Sequence, residues 1–121
     1  MENRQSVLIV DSSEETREVL QTALERRGVQ IFSASRARQG LKLARQHHPD
    51  VIVLDLEVKG GGADRLPARL AEQAPPDGQQ RLVLLGSLRR GKAVPSGEFV
   101  AKPYHYGPLI RKIEELLKRS A

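Results

Sequence analysis

The chain has 121 residues, 39% hydrophobic and 29% charged, which suits one domain over residues 1–121 around a single core; with no cysteine, disulfides and thiol chemistry are excluded. Twenty Lys and Arg against fifteen Asp and Glu give a net charge of +5. These cations are spread along the chain, and Phe32, Phe99, Tyr104 and Tyr106 form no stacking platform, so the charge reads as a solvated basic surface rather than a nucleic-acid site.

No apolar run approaches the ~20 residues of a membrane span. Residues Met1 to Ser6 lack the apolar stretch of a secretory signal, so the expected location is the cytoplasm, with no membrane partner.

Val7 to Val10 is a short, β-branched apolar run, which predicts a strand buried on both faces, and Asp11 ends it. Ser12 or Ser13 can cap the following helix, with Glu14, Glu15 and Glu18 where the N-terminal dipole favours acids; Ser12 and Glu15 have capping-box spacing. Val19, Leu20, Ala23 and Leu24 supply its apolar stripe, and Gly28 marks its stop. The second strand is Val29 to Ala34, and Ser35 is placed to cap a helix through Leu41 and Ala44 that ends before Pro49.

Val51 to Leu54 repeats the first pattern, ends in Asp55 and leads into a glycine-rich loop, Lys59 to Gly62. A weaker helix carries Leu66, Leu70 and Ala71 and stops at Pro75-Pro76. Leu82 to Leu85 reads as a fourth strand and Glu98 to Ala101 as a fifth. Between them Gly91, Pro95 and Gly97 limit any helix to a single turn or none. The last helix runs from about Gly107 or Pro108 to Arg119, with Leu109, Ile110, Ile113, Leu116 and Leu117 inward.

Strands alternating with helices imply an open, parallel α/β sheet with helices on both faces, joined by right-handed crossovers. Sites in such sheets form beyond the carboxyl ends of the strands. Asp11, Asp55, Gly86, Ser87 and Lys102 all fall on that edge.

Three segments in order carry a resemblance: Val-Leu-Ile-Val-Asp at 7–11, Asp-Val-Ile-Val-Leu-Asp at 50–55, and Phe-Val-Ala-Lys-Pro-Tyr at 99–104. Together they make nearly the whole chain similar to the receiver domain of bacterial two-component response regulators. The resemblance implies a flavodoxin-like sheet of five parallel strands, order 2-1-3-4-5; the helix the family has between strands four and five is, on the residues present, shortened or missing here. It implies a stand-alone regulatory domain, not an enzyme, that takes a phosphoryl group from a histidine kinase or other phosphodonor and acts on a downstream protein partner. In that pattern Asp55 is the phosphoacceptor and Lys102 neutralises the phosphoryl oxygens. Asp11, mainly through a bound water, Asp55, and Glu57 through its carbonyl hold Mg²⁺ in that pattern, and Pro103 follows Lys102 across a cis peptide bond.

The need for cations is physical: an anionic nucleophile must approach an anionic donor. The departures from the family pattern bear on that need. Receivers carry two adjacent acids after the first strand, and here the pair is Asp11-Ser12, which removes a charge from the Mg²⁺ shell and lowers its expected affinity. The Glu57 side chain is the candidate to restore it, and Glu14 a poorer one. At the end of the fourth strand receivers place a Thr or Ser that binds the phosphoryl group. Counting from Arg81 brings Gly86 there, while a one-residue shift brings Ser87. Phe99 matches the aromatic that switches on activation; an edge-strand hydrophobic residue is the plainer reading.

Two other readings stay open: a pseudo-receiver that docks without phosphorylation, and a small nucleotide- or flavin-binding α/β domain. The second lacks a phosphate loop, since Gly60 to Gly62 is not followed by Lys-Ser or Lys-Thr, and acids occupy the first helical turn. His47-His48 suits a helix end rather than a metal site.

Overall fold

The computed structural model describes residues 4–73, 81–87 and 97–120. Five strands, β1 (Ser6–Val10), β2 (Gln30–Ala34), β3 (Val51–Asp55), β4 (Arg81–Gly86) and β5 (Glu98–Ala101), form one sheet in the order β2-β1-β3-β4-β5. Every neighbouring pair is parallel. The helices are α1 (Glu14–Glu25), α2 (Ala37–His47), α3 (Leu66–Glu72, entered through a 3-10 turn at Ala63–Arg65) and α4 (Tyr106–Ser120). This is the sheet order the resemblance implies. Among the described residues no helix is long and apolar enough to cross a membrane. The helix expected to be short or absent between β4 and β5, and the stop at Pro75-Pro76, lie outside the described residues.

The apolar runs in β1 and β3 are explained by burial on both faces. Alternation at a period of two sends Val7, Ile9, Val51 and Val53 to a core with Leu20 and Leu24 of α1 and Leu109, Ile113, Leu116 and Leu117 of α4. The intervening Leu8, Val10, Ile52 and Leu54 go to a second core with Ala37 and Ala44 of α2 and Leu66 and Leu70 of α3. Gly40 lets α2 approach β1 closely, because a Cβ there would lie 2.8 Å and 2.9 Å from the two methyl carbons of Val10. An ion pair between Arg27, in the turn after α1, and Glu114 ties that turn to α4.

Several expected boundaries move. Strand β2 begins at Gln30, with Val29 buried just before it, while β4 gains a residue at each end and α4 starts at Tyr106. Helix α1 is capped by Ser13, whose Oγ accepts from the Thr16 N–H at 3.2 Å; Ser12 is exposed and forms no capping box with Glu15. Ser35 does not cap α2. Arg36 holds the cap position without a side-chain bond, and the Ala37 N–H donates instead to the Lys59 carbonyl at 2.9 Å, so the glycine-rich loop does the capping. At its other end α2 stops on His48 in the left-handed region (φ 47°), and His47 stacks on Phe32 with ring centroids 3.9 Å apart.

Candidate functional site

The same period-two alternation that builds the cores places the site. Asp11, Asp55 and Lys102 each stand two residues beyond a side chain (Ile9, Val53, Val100) packed on the α1/α4 side of the sheet. Pairing continues past the strand ends and fixes their height: the Asp11 N–H donates to Ala34 O at 3.0 Å, and the Lys102 N–H to Gly86 O at 2.9 Å. The Lys102–Pro103 peptide bond is cis.

The three residues meet. Lys102 Nζ lies 2.8 Å from Asp55 Oδ1 and 3.1 Å from Glu57 Oε1. Asp55 Oδ1 also accepts the Glu57 N–H at 2.9 Å, and Glu57 Oε2 accepts from the Ser87 hydroxyl at 3.2 Å. On the other side, Asp11 Oδ1 accepts the Ser13 N–H at 2.8 Å, so one loop both caps α1 and orients the acid. These side chains line an open cleft of about 850 Å³ together with Thr16, Tyr104 and Tyr106.

The charges are coupled. Burial pushes the Asp11 carboxyl above the usual 3.8 and the negative Asp55 pushes it further, against the opposing Ser13 N–H and the Lys102 charge. Burial pulls the Lys102 ammonium down, but hydrogen bonds and attraction from Asp55 and Glu57 outweigh it, so its net shift is above 10.5. Burial likewise raises the Tyr104 phenol, against the Thr16 hydroxyl, and it remains an O–H donor at neutral pH.

These directions carry a stability consequence. A carboxyl whose pKa is raised on folding contributes stability below its unfolded value, and that stability is lost as pH rises through the folded value. Asp11→Asn is therefore expected to raise the melting temperature at pH 7 by a few degrees, the gain vanishing as pH falls below 3.8. Thermal melts at the two pH values check this, and a variant no more stable than wild type at pH 7 contradicts it.

Ser87, Glu57, Asp11, Asp55 and Lys102 thus share one cleft. Gly86 and Phe99 lie on the other face: Phe99 pairs with Leu84 and packs on the α2/α3 core, and a Cβ at Gly86 would lie 3.2 Å from Leu56 Cδ1. Sequence reasoning missed Thr16, Tyr104 and Tyr106 as cleft residues. The Thr16 hydroxyl is 3.2 Å from Tyr106 Oη; the one signal for Thr16 was its place four residues before Leu20 on the apolar stripe of α1.

Two converging carboxylates in mutual repulsion are a hard-oxygen donor set whose repulsion a divalent cation would relieve, so the residues present fit Mg²⁺. They supply fewer charges than a dedicated site, and among the described residues no group of three or more His, Cys, Asp or Glu is arranged for a metal.

The chain is 26% identical over 129 residues to a probable transcriptional regulator, ycf27, of Guillardia theta, covering 99% of this chain and 48% of that protein. The chain thus spans about half the length of that relative. A 56-residue segment, 46% of this chain, is 41% identical to a quarter of the KDP operon transcriptional regulatory protein KdpE of Escherichia coli. It is 26% identical over 116 residues to protein PilH of Pseudomonas aeruginosa, covering 92% of this chain and 96% of PilH. Among solved structures, the receiver domain of the Francisella response regulator 1452 superposes with a TM-score of 0.81 at 22% identity, covering 98% of this chain and all of that one, which shows the shared fold. The model of the response regulator receiver domain matches residues 7–84, more than half of the chain, and the chain belongs to this family of regulatory rather than catalytic domains.

Proposed function

We propose that this chain is a phosphorylation-responsive receiver in two-component signalling, with Asp55 as its phosphoacceptor and a histidine kinase or other phosphodonor protein as its source. The observation that carries this reading is the 2.8 Å contact between Lys102 Nζ and a buried Asp55 carboxylate. Lys102 and the Glu57 N–H both engage Oδ1, which leaves Oδ2 to attack. In the step, Oδ2 forms a bond to phosphorus, the bond from phosphorus to the donor's leaving atom breaks, and the leaving group takes the electron pair. The ammonium offsets the charge that builds on the phosphoryl oxygens. Asp11, Asp55 and the Glu57 carbonyl would hold Mg²⁺, which when bound would add further neutralisation of those oxygens. With Gly86 at the strand end, the Ser87 hydroxyl on the cleft wall is the one that would meet the phosphoryl group, and Phe99, at the family's switch position, would respond from the opposite face of the sheet. Output is by contact with a downstream protein.

One observation favours a second reading, a docking module that is never phosphorylated: Ser12 stands where receivers have a second acid. Mg²⁺-dependent labelling by acetyl phosphate separates the two. Wild type is expected to take up a label that hydroxylamine and base release, as an acyl phosphate requires, and Asp55→Asn none; a label retained in Asp55→Asn, or absent from wild type, overturns the acceptor assignment.

A further inference from the structure

The Glu57 side chain occupies a position that phosphoacceptor chemistry leaves unexplained. Its carboxylate bridges two donors, taking Lys102 Nζ on Oε1 at 3.1 Å and the Ser87 hydroxyl on Oε2 at 3.2 Å. These are a cation and a hydroxyl of the same cleft that a phosphoryl group attached to Asp55 would need for its oxygens. The Glu57 backbone is pinned to the same acid through its N–H, 2.9 Å from Asp55 Oδ1. The tether fixes where the carboxylate starts, while the side chain, 56% exposed, has open solvent to swing into.

We infer that the Glu57 carboxylate is a built-in competitor for the phosphoryl-binding donors, an internal anion that must release Lys102 and Ser87 before a phosphoryl group on Asp55 can use them. This rests on the reading of Asp55 as phosphoacceptor and adds what sets the site's readiness. While it is seated, Glu57 holds the Lys102 ammonium in place beside Asp55, but it also adds a negative charge in front of the incoming donor. Seating and phosphorylation therefore oppose each other. Acetyl phosphate brings its own oxygens: Asp55 Oδ2 forms the new bond to phosphorus, the bond to the acetate oxygen breaks, and acetate leaves with the electron pair while Glu57 swings outward. The carboxylate of Glu57 forms no bond to phosphorus.

The test compares wild type, Glu57→Gln and Glu57→Ala for the initial rate of labelling by acetyl phosphate at saturating Mg²⁺, with the Lys102 ammonium followed by ¹⁵N NMR without phosphodonor. Both variants are expected to label about two- to fivefold faster, the factor equivalent to one exposed ion pair. The ammonium signal, slowed in exchange by its two carboxylates, is expected to broaden in Glu57→Ala. Equal or slower labelling of both variants beside a labelled wild type overturns the competitor role and leaves Asp55 as acceptor. No label on any of the three overturns the acceptor reading and with it the competitor role. An ammonium signal unchanged in Glu57→Ala overturns the bridge itself.

Discussion

Lys102→Met is expected to slow labelling of Asp55 by acetyl phosphate by between about tenfold and about a hundredfold, the range that corresponds to losing one charge-assisted hydrogen bond in the transition state. The methionine keeps much of the length and apolar stem of lysine and removes the ammonium that lies 2.8 Å from Asp55 and 3.1 Å from Glu57. Three acids, Asp11, Asp55 and Glu57, then line the cleft without the ammonium that contacts Asp55 and Glu57, and Lys59 is the lysine left on its wall. An anionic donor meets more of their repulsion at the moment when charge on the phosphoryl oxygens is growing. Stopped labelling assays over the first minutes measure the rate. A variant that labels as fast as wild type contradicts the role given to Lys102.

Leu8→Ala is expected to lower stability by about 3 kcal/mol, within the range for truncating a fully buried leucine. Leu8 is completely buried, on a central strand flanked by β2 and β3, where it sits opposite Phe32 and Ile52. Its side chain fills the layer beneath α2 and α3 with Leu84 and Leu54. A loss of that size is a large part of the roughly 5–15 kcal/mol typical of a domain. Urea unfolding gives the value, with the midpoint falling at unchanged slope. A loss below about 1 kcal/mol would show that the layer refills around the gap. The two variants separate the roles of the two faces: Lys102→Met strikes the chemistry, and Leu8→Ala strikes the scaffold.

The fold was legible where burial alone decides. The runs at Val7 to Val10 and Val51 to Leu54 are apolar at every position because both faces of β1 and β3 are covered, and no other placement hides all eight side chains. Asp11 and Asp55 stood out because a carboxylate at the end of such a run has one open edge to face. Lys102 was legible only through its neighbours in residues 99–104, since a lone lysine after a short, half-buried strand carries no signal of its own.

What escaped the sequence was decided by contacts between distant residues. Ser35 looked like a cap and is not one, because the carbonyl of Lys59, 22 residues beyond Ala37, takes the helix N–H first. The choice between Ser12 and Ser13 turned on which serine the Asp11 carboxylate holds by its N–H. Tyr106 reaches Thr16 from 90 residues away, and no local pattern encodes that pairing. Glu57 was read as a candidate to restore charge near the metal position, while its carboxylate is engaged by Lys102 and Ser87. The difference is one of side-chain direction, which spacing from Asp55 leaves open.

The most direct measurement is a crystal structure of the protein grown with Mg²⁺ and beryllofluoride, whose tetrahedral fluorides mimic a phosphoryl group on a carboxylate. The expected result is beryllium bonded to Asp55 Oδ2, with Lys102 Nζ and the Ser87 hydroxyl on its fluorides and the Glu57 carboxylate turned away. Asp55 left bare under saturating beryllofluoride, with Lys102 still bridging Asp55 and Glu57, would contradict it.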